Sequence, residues 1–116
     1  MAQITLPIPS ARTMNSRGTW RTKFIATSRE RARAAEQWKG EPSLGDVPVR
    51  ATLHFILPDR RARDLDGLIS KAKPYLDGAA DAGILKDDKQ IEELIARKEV
   101  GTRETSGVTI TLTALV

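Results

Sequence analysis

A group of aspartates set among arginines has the residue types and spacing that could do chemistry in this chain. The group comprises Asp64, Asp66, Asp87 and Asp88, with Arg60, Arg61 and Arg63 just before the first pair. Carboxylates that converge in a net-basic protein repel one another at neutral pH unless a divalent cation lies between them or they take up protons. The group therefore predicts a Mg²⁺ or Mn²⁺ site that acts on phosphates.

A helix predicted to begin near Asp66 would position the first carboxylates. At about 100° per residue, three polar residues fall within about 40° of Asp66 on the helix surface, namely Ser70, Lys73 and Asp77. Lys71 lies roughly 140° from Asp66 and points away from the carboxylates. Lys73 is therefore the better candidate for a cation beside the metal.

Two features define the course of this second helix. Pro74 lacks an N–H and disfavours helical geometry in the preceding residue, so the helix is either kinked there or begins at Pro74. Gly83 is expected to end it, with Ile84 placed for a hydrophobic contact. Asp87 in the following turn has two readings, as a metal ligand acting through water or as a cap of the turn.

Four segments predict strands. Apolar and polar residues alternate over residues 4–8, which end at two prolines, over residues 49–57, and over residues 108–116. Residues 90–100 are expected to form a third strand in sequence order, although Glu92, Glu93 and Ala96 leave a helix open. His54 falls on the polar face of its strand, where a structural role is favoured.

A first helix is predicted over residues 28–39. Thr27 and Glu30 make a plausible capping box, and Gly40 followed by Pro42 stops the helix. The preceding residues 10–21 are polar and basic and predict a loop that contacts a phosphate backbone, with Trp20 favoured as a packing residue rather than a base-stacking one. The candidate DNA-binding residues of this region are Arg12, Arg17, Arg21 and Lys23.

Length and composition favour one domain over residues 1–116, of the α/β (α+β) class, with a mixed four-stranded sheet packed by two helices. The chain has no cysteine, which excludes disulfides, zinc–thiolate sites and thiol nucleophiles. No stretch approaches the roughly 20 apolar residues that a membrane span requires, and no secretion signal is recognisable. We therefore expect an intracellular protein without a membrane partner.

Charge is unevenly distributed along the chain. The formal net charge is +4, and residues 1–40 carry eight Lys or Arg against two Glu. Such a segment creates a positive field that attracts polyanions and makes their binding salt-dependent. Ordinary solubilising charge is the alternative explanation.

The order of the acidic and basic motifs resembles that of the RusA family of Holliday junction resolvases. The matching motifs are Arg63-Asp64-Leu65-Asp66, Lys73-Pro74, Leu76-Asp77-Gly78, Asp81-Ala82-Gly83-Ile84-Leu85 and Asp87-Asp88 followed by an apolar strand. The match covers residues 58–98 well and the rest of the chain loosely. It implies a homodimeric, Mg²⁺-dependent endonuclease of DNA recombination and repair, cytoplasmic and encoded by a bacterium or its prophage, that cuts four-way DNA junctions with paired symmetric nicks.

The resemblance also implies roles for individual residues. Asp64, Asp66 and Asp88 would hold one or two Mg²⁺ for phosphodiester hydrolysis, and Lys73 would supply positive charge at the scissile phosphate. The three arginines at positions 60, 61 and 63 would fix neighbouring phosphates. Asp77 and Asp81 are expected to form surface pairs or to support the ligands.

Two positions depart from the family pattern. Gly67 stands where the family usually has Asn, and Ser70 stands where its lysine is common. An insertion of about three residues before Lys73 is close to the 3.6 residues of one helical turn and keeps the lysine on the same face. A nuclease for other branched DNA, and a junction-binding module without turnover, remain open alternatives.

Overall fold

The computed structural model describes the backbone of residues 1–9 and 20–115, with side chains described for 1–9 and 24–115. A four-stranded sheet carries two helices, as expected for an α+β domain. The elements are β1 (Ala2–Leu6), α1 (Trp20–Trp38), β2 (Val49–Leu57), α2 (Leu65–Asp81), β3 (Ile91–Val100) and β4 (Gly107–Ala114), with a short 3₁₀ turn at Asp88–Gln90.

The sheet is mixed, with the strand order β1-β4-β2-β3. β4 is antiparallel to both β1 and β2, whereas β2 and β3 are parallel and are connected through α2. Alternate residues of β2 are fully buried, from Val49 to Leu57, and those between them are partly exposed. One face of the sheet is therefore the core face, and the other is open.

Tyr75 joins three parts of the core. Its carbonyl accepts a hydrogen bond from the buried Trp38 Nε1 at 2.9 Å, which ties α2 to the end of α1. Its hydroxyl donates to the carbonyl of Pro7 at 2.9 Å, just beyond β1. Burial raises the pKa of Tyr75 to about 12, so the hydroxyl stays protonated and remains a donor at neutral pH.

The predictions for β2 and β3 are confirmed, including the strand assignment of residues 91–100. β1 ends at Leu6, directly before the first proline, and Ile8 lies beyond it. β4 is confirmed over Gly107–Ala114. Neither helix within residues 20–115 has the length and apolar composition needed to cross a membrane.

The predicted start of α1 is wrong. The helix begins at Trp20 rather than at Ser28, so Thr27 lies inside it and does not cap it. No glycine or proline interrupts residues 20–38, and Thr and Ser lower helix propensity only modestly, so nothing there stops the helix. Arg21, expected in a loop, therefore lies in α1.

Helix α2 begins at Leu65, with Asp64 as its N-cap residue, and it continues through Pro74. The alternative that it begins at Pro74 is therefore wrong. Its end matches the prediction: Gly83 has a φ of 82°, and the amide of Ile84 donates to the carbonyl of Ala79 at 3.0 Å. This is a Schellman motif, and it buries Ile84 against the core.

Gly78 and Gly67, both in α2, should respond oppositely to alanine. A Cβ at Gly78 would lie 2.8 Å from the carbonyl oxygen of Arg31 and 2.9 Å from the Cβ of Ala34, because α1 packs directly against this residue. We expect Gly78→Ala to lower the free energy of unfolding by about 1–3 kcal/mol through overpacking. Urea denaturation of the purified variant measures the change.

Gly67→Ala is the matched control. Outside the helix backbone itself, the neighbour of its added Cβ among the described residues would be the Cβ of Asp64, at an ordinary 3.7 Å. Helix propensity should then raise the free energy of unfolding by up to about 1 kcal/mol. A stabilised Gly78→Ala protein would contradict the close packing of the two helices.

Candidate functional site

Lys73 is the centre of a charged cluster on the exposed face of α2. Its Nζ lies 2.9 Å from Oδ2 of Asp88 and 3.5 Å from Oδ1 of Asp77. The predicted shared face of Lys73 and Asp77 is thereby confirmed. Lys73 also contacts Asp88, the second acid of the later pair. These contacts form a lysine–carboxylate cluster at the middle of the helix.

The turn that carries Asp88 is held by two neighbouring side chains. Asp87 Oδ1 accepts a hydrogen bond from the amide of Lys89 at 2.9 Å, and Gln90 Oε1 accepts from the amide of Asp87 at 3.0 Å. Together they form a capping box around the 3₁₀ turn. Of the two readings of Asp87, the structure shows the cap.

Gln90 also anchors this turn to the loop before β2. Its Nε2 donates to the carbonyls of Gly45 at 2.7 Å and Val47 at 2.9 Å, while Oε1 additionally accepts from the amide of Lys86 at 2.6 Å. Gln90 was not among the residues predicted from the sequence. Its signal was an N-cap Asp followed three residues later by Gln.

The ion pair fixes the charge state of both partners. The hydrogen bond from Lys73, together with the positive charge of the lysine, holds the pKa of Asp88 below its usual value. The same contact with Asp88 raises the pKa of Lys73 above that of a free lysine, against the opposing effect of partial burial. Both groups are therefore charged at neutral pH.

Asp64 and Asp66 lie at the beginning of α2. Asp64 is exposed, has an extended backbone and makes no capping hydrogen bond with its side chain. It borders a recess of about 240 Å³ whose lining includes Gly67 and Lys71. The prediction that Lys71 points away from the carboxylates is therefore wrong for Asp64. Asp66 is exposed in the first turn.

Asp88 borders a second recess, of about 260 Å³, on the other flank of α2. Lys73 lines it together with apolar side chains of α2 and β3, which are Ile69, Leu76, Ile91 and Leu94. Side chains are described for residues 1–9 and 24–115. Among them, no three acidic or histidine side chains lie close enough together to hold a metal ion. Asp64, Asp66 and Asp88 therefore do not form a ready-made three-carboxylate site.

The physical reason is the axial rise of the helix. Asp66 and Lys73 share a face, but seven residues at 1.5 Å each separate them by roughly 10 Å along the axis. Asp88 meets the helix at the level of Lys73. Angular position alone, on which the sequence prediction relied, does not contain this displacement.

The three arginines before α2 differ in their surroundings. Arg63 Nη1 lies 2.7 Å from Oδ1 of Asp59, and this hydrogen bond lowers the pKa of Asp59. The carbonyl of Arg63 accepts a hydrogen bond from Lys98 Nζ. Arg60 is exposed, and the Arg61 side chain is 83% exposed. Arg60 and Arg61 are therefore better placed than Arg63 to contact a ligand.

The remaining candidates fall into two groups. Arg12 and Arg17 lie outside the described residues, and Arg21 and Lys23 belong to α1 but their side chains are outside the description. Asp81 forms a surface pair with Arg31, as predicted, with contacts of 2.6 and 2.8 Å. His54 Nε2 lies 2.9 Å from Glu99 Oε1 on the open face of the sheet.

The titration of Asp88 should report its contact with Lys73. Lys73→Met removes the hydrogen bond that lowers the pKa of Asp88, so this pKa should rise toward that of an unpaired aspartate. In the unmodified protein, the depressed pKa contributes stability that is present above the unfolded-state pKa of Asp88 and is lost as the pH falls through the folded-state value. Carboxyl-carbon NMR measures the titration directly. Lys71→Met is the control and should leave it unchanged; equal effects of both variants would contradict the assignment.

Gln90→Met should disturb the same titration indirectly. The variant leaves two carbonyls and two amides of the turn and its neighbouring loop without their side-chain partner, which costs about 1–3 kcal/mol of unfolding free energy. If Gln90 positions Asp88, the pKa of Asp88 should also rise. Gln37→Met, an exposed change on α1, should alter neither quantity appreciably, and a stable variant with an unshifted Asp88 would exclude the anchoring role.

No protein-family model matches this chain. An uncharacterized protein of Xylella fastidiosa (strain Temecula1) is similar to it over nearly its full length, with 32% identity over 122 aligned residues. The alignment covers 99% of this chain and 78% of the Xylella protein. The chain therefore belongs to the same family as this uncharacterized Xylella protein.

Proposed function

We propose that the protein is a Mg²⁺-dependent endonuclease that resolves four-way DNA junctions. The observation that carries the proposal is the contact between Lys73 and Asp88 on the exposed face of α2. This contact joins two residues that the resemblance to the RusA resolvases marks as functional. They are 15 positions apart in the chain, so the fold and not local sequence brings them together.

The carboxylates are chemically suited to the proposed metal. Mg²⁺ prefers oxygen ligands, keeps several of its waters and commonly uses one or two protein carboxylates together with substrate phosphates. The exposed Asp64 and Asp66 and the partly buried Asp88 are the residues that would hold it, with no need for a closed protein cage. When bound, the metal would activate a water for in-line attack and stabilise the charge that develops on the leaving oxygen.

Lys73 has a defined part in this proposal. An ammonium group has three N–H donors, and the contacts with Asp88 and Asp77 use two of them. The third can be donated to an oxygen of the scissile phosphate. Because its pKa is raised, the lysine carries its charge throughout the neutral range. Asp88 would thus orient the lysine as well as supply an oxygen ligand.

Positive charge near the start of α2 supports a path for the DNA backbone. Arg60 and Arg61 are exposed there, and Lys98 reaches the carbonyl of Arg63. The first amides of the helix and its dipole also favour anions at this end. In the proposed complex, the basic residues of 12–23 and Arg63 would extend these phosphate contacts.

A two-fold symmetric dimer completes the proposed activity. A four-way junction has two-fold symmetry, so a C₂ dimer presents one site to each of two opposed strands. Paired symmetric nicks then require no reorientation of the protein. The homodimer is part of the proposal for this reason.

A junction-binding module without turnover is the second candidate. It is favoured by the separation of Asp64 from Asp88, which border different recesses, and by Gly67 and Ser70 at positions where the resemblance fails. Such a protein would bind branched DNA through the same basic residues. A nuclease selective for flaps or forks is the further alternative within the enzyme class.

Cleavage of a labelled four-way junction separates these functions. With Mg²⁺ the protein should nick opposed strands symmetrically, and EDTA should abolish the products. Asp66→Asn and Asp88→Asn should each reduce cleavage on the order of 100-fold or more, since each removes a charged group acting on the transition state. Matched linear duplex and flap substrates, assayed in parallel, measure selectivity.

Lys73→Ala and Lys71→Ala form a matched pair on the two flanks of α2. Lys73→Ala should lose cleavage far more than junction binding, and Lys71→Ala should retain most of both. If Lys71→Ala instead lost more cleavage than Lys73→Ala, the reacting phosphate would be assigned to the recess beside Asp64. Junction binding without Mg²⁺-dependent products in the unmodified protein would exclude the nuclease in favour of the binding module.

A further inference from the structure

Strand β3 is a long, exposed edge of the sheet. It pairs with β2 on one side and is the terminal strand of the described sheet. Eight of its ten residues are exposed, and these include Leu94 at 46%, Ile95 at 49% and Val100 at 52%. Such an edge presents backbone N–H and C=O groups that another strand can pair with.

Apart from Glu99, which lies 2.9 Å from Nε2 of His54 on the neighbouring strand, the charges of β3 are separated by sign along the strand. Glu92 and Glu93 lie near its beginning, and Arg97 and Lys98 lie near its end. Charges that serve only to prevent pairing at a sheet edge need no separation of acidic from basic residues. In an antiparallel pair of two identical strands, the acidic part of one copy lies opposite the basic part of the other. A second copy of this chain is therefore the partner that the edge fits.

The faces of the strand restrict the register of such a pair. Leu94 is paired with the buried Ala51 and lies on the core face, whereas Ile95 is paired with Thr52 and lies on the open face. Residues directly opposite each other in neighbouring strands point to the same face. Each residue of one copy must therefore lie opposite a residue of the other copy that points to the same face of the sheet.

One of the permitted registers is favoured by charge. With Ile95 opposite Ile95 of the copy, Glu93 lies opposite Arg97 of the copy, and Glu92, at the β-bulge, comes near Lys98 of the copy. A shift that centres the pair on Ala96 would place Glu93 opposite Glu99 of the copy. A shift that centres it on Leu94 would place Glu93 opposite Ile95 of the copy. Neither shifted register pairs Glu93 with a cation.

We propose that two copies of the chain associate through antiparallel pairing of β3, with the two-fold axis at Ile95. The two sheets become one continuous sheet of eight strands. Glu93, which already contacts Arg50 of its own chain at 2.6 Å, then bridges that arginine and Arg97 of the copy. Leu94 lies opposite Ala96 of the copy, and since Leu94 lines the recess of Asp88, the interface adjoins the Lys73 cluster.

This inference rests on the homodimer contained in the proposed function and names its surface. Its test uses neither DNA nor metal, so its outcome is independent of nuclease activity. Light scattering during size-exclusion chromatography at tens of micromolar should give the mass of a dimer for the unmodified chain. Ile95→Lys, which brings two ammonium groups together at the axis, should give a folded monomer by mass and circular dichroism. Ile25 on α1 is 44% exposed, similar to Ile95, and the control variant Ile25→Lys should remain a dimer.

Two charge-reversed variants test the register. The double variant Glu92→Lys, Glu93→Lys makes all four of these charged positions basic. The double variant Arg97→Glu, Lys98→Glu makes all four acidic. Each variant alone should be monomeric, because like charges oppose each other in its homodimer. An equimolar mixture should form a heterodimer, detected by native mass spectrometry.

Three results would overturn the inference. They are a monomeric unmodified chain, a dimer that persists in Ile95→Lys, and a mixture of the two charge-reversed variants that stays monomeric. A persistent dimer together with symmetric junction cleavage would leave the proposed function in place and assign the interface to another surface.

Discussion

The close contact between the two helices is the constraint on which the rest of the structure depends. Gly78 has no side chain, so the backbone of α1 approaches α2 to a distance that a Cβ would not permit. A short distance along, Tyr75 accepts the hydrogen bond of Trp38 and donates its own to Pro7. These contacts fix both the position and the rotation of α2 on the sheet. The rotation decides that Lys73 and Asp77 face outward.

Asp88 belongs to a different part of the chain and reaches Lys73 for a different reason. The Schellman motif at Gly83 ends α2 and redirects the chain, and Gln90 then holds the next turn against the loop at residues 45–47. Helix and turn are thus positioned independently, one by packing and the other by hydrogen bonds. The ion pair between them is exposed and contributes little to stability by itself. Its geometry is a consequence of the fold, which is what a site for chemistry requires.

Periodicity was sufficient to predict the alternating strands β1, β2 and β4, the end of α2 and the outward face of Lys73. It left a helix open for the residues of β3, and it left the start of α2 open between Asp66 and Pro74. The start of α1 did not follow, because Thr27 and Ser28 satisfy a capping pattern yet also fit within a helix when no glycine or proline interrupts the preceding residues. Gln90 was overlooked because its importance lies in the carbonyls of Gly45 and Val47, which are more than forty positions away.

The candidate site shows the same division between local and distant information. A helical wheel gives the angle of each residue around the axis, and it correctly places Lys73 with Asp77. It discards the height along the axis, along which Asp66 and Lys73 are roughly 10 Å apart. Asp88 contacts Lys73 and so lies at its height, away from Asp66, while Asp64 borders a recess on the other flank of α2. In the proposed function, a Mg²⁺ that takes ligands from waters and a substrate phosphate as well as from one or two carboxylates therefore suits these separated aspartates better than a metal enclosed by protein alone.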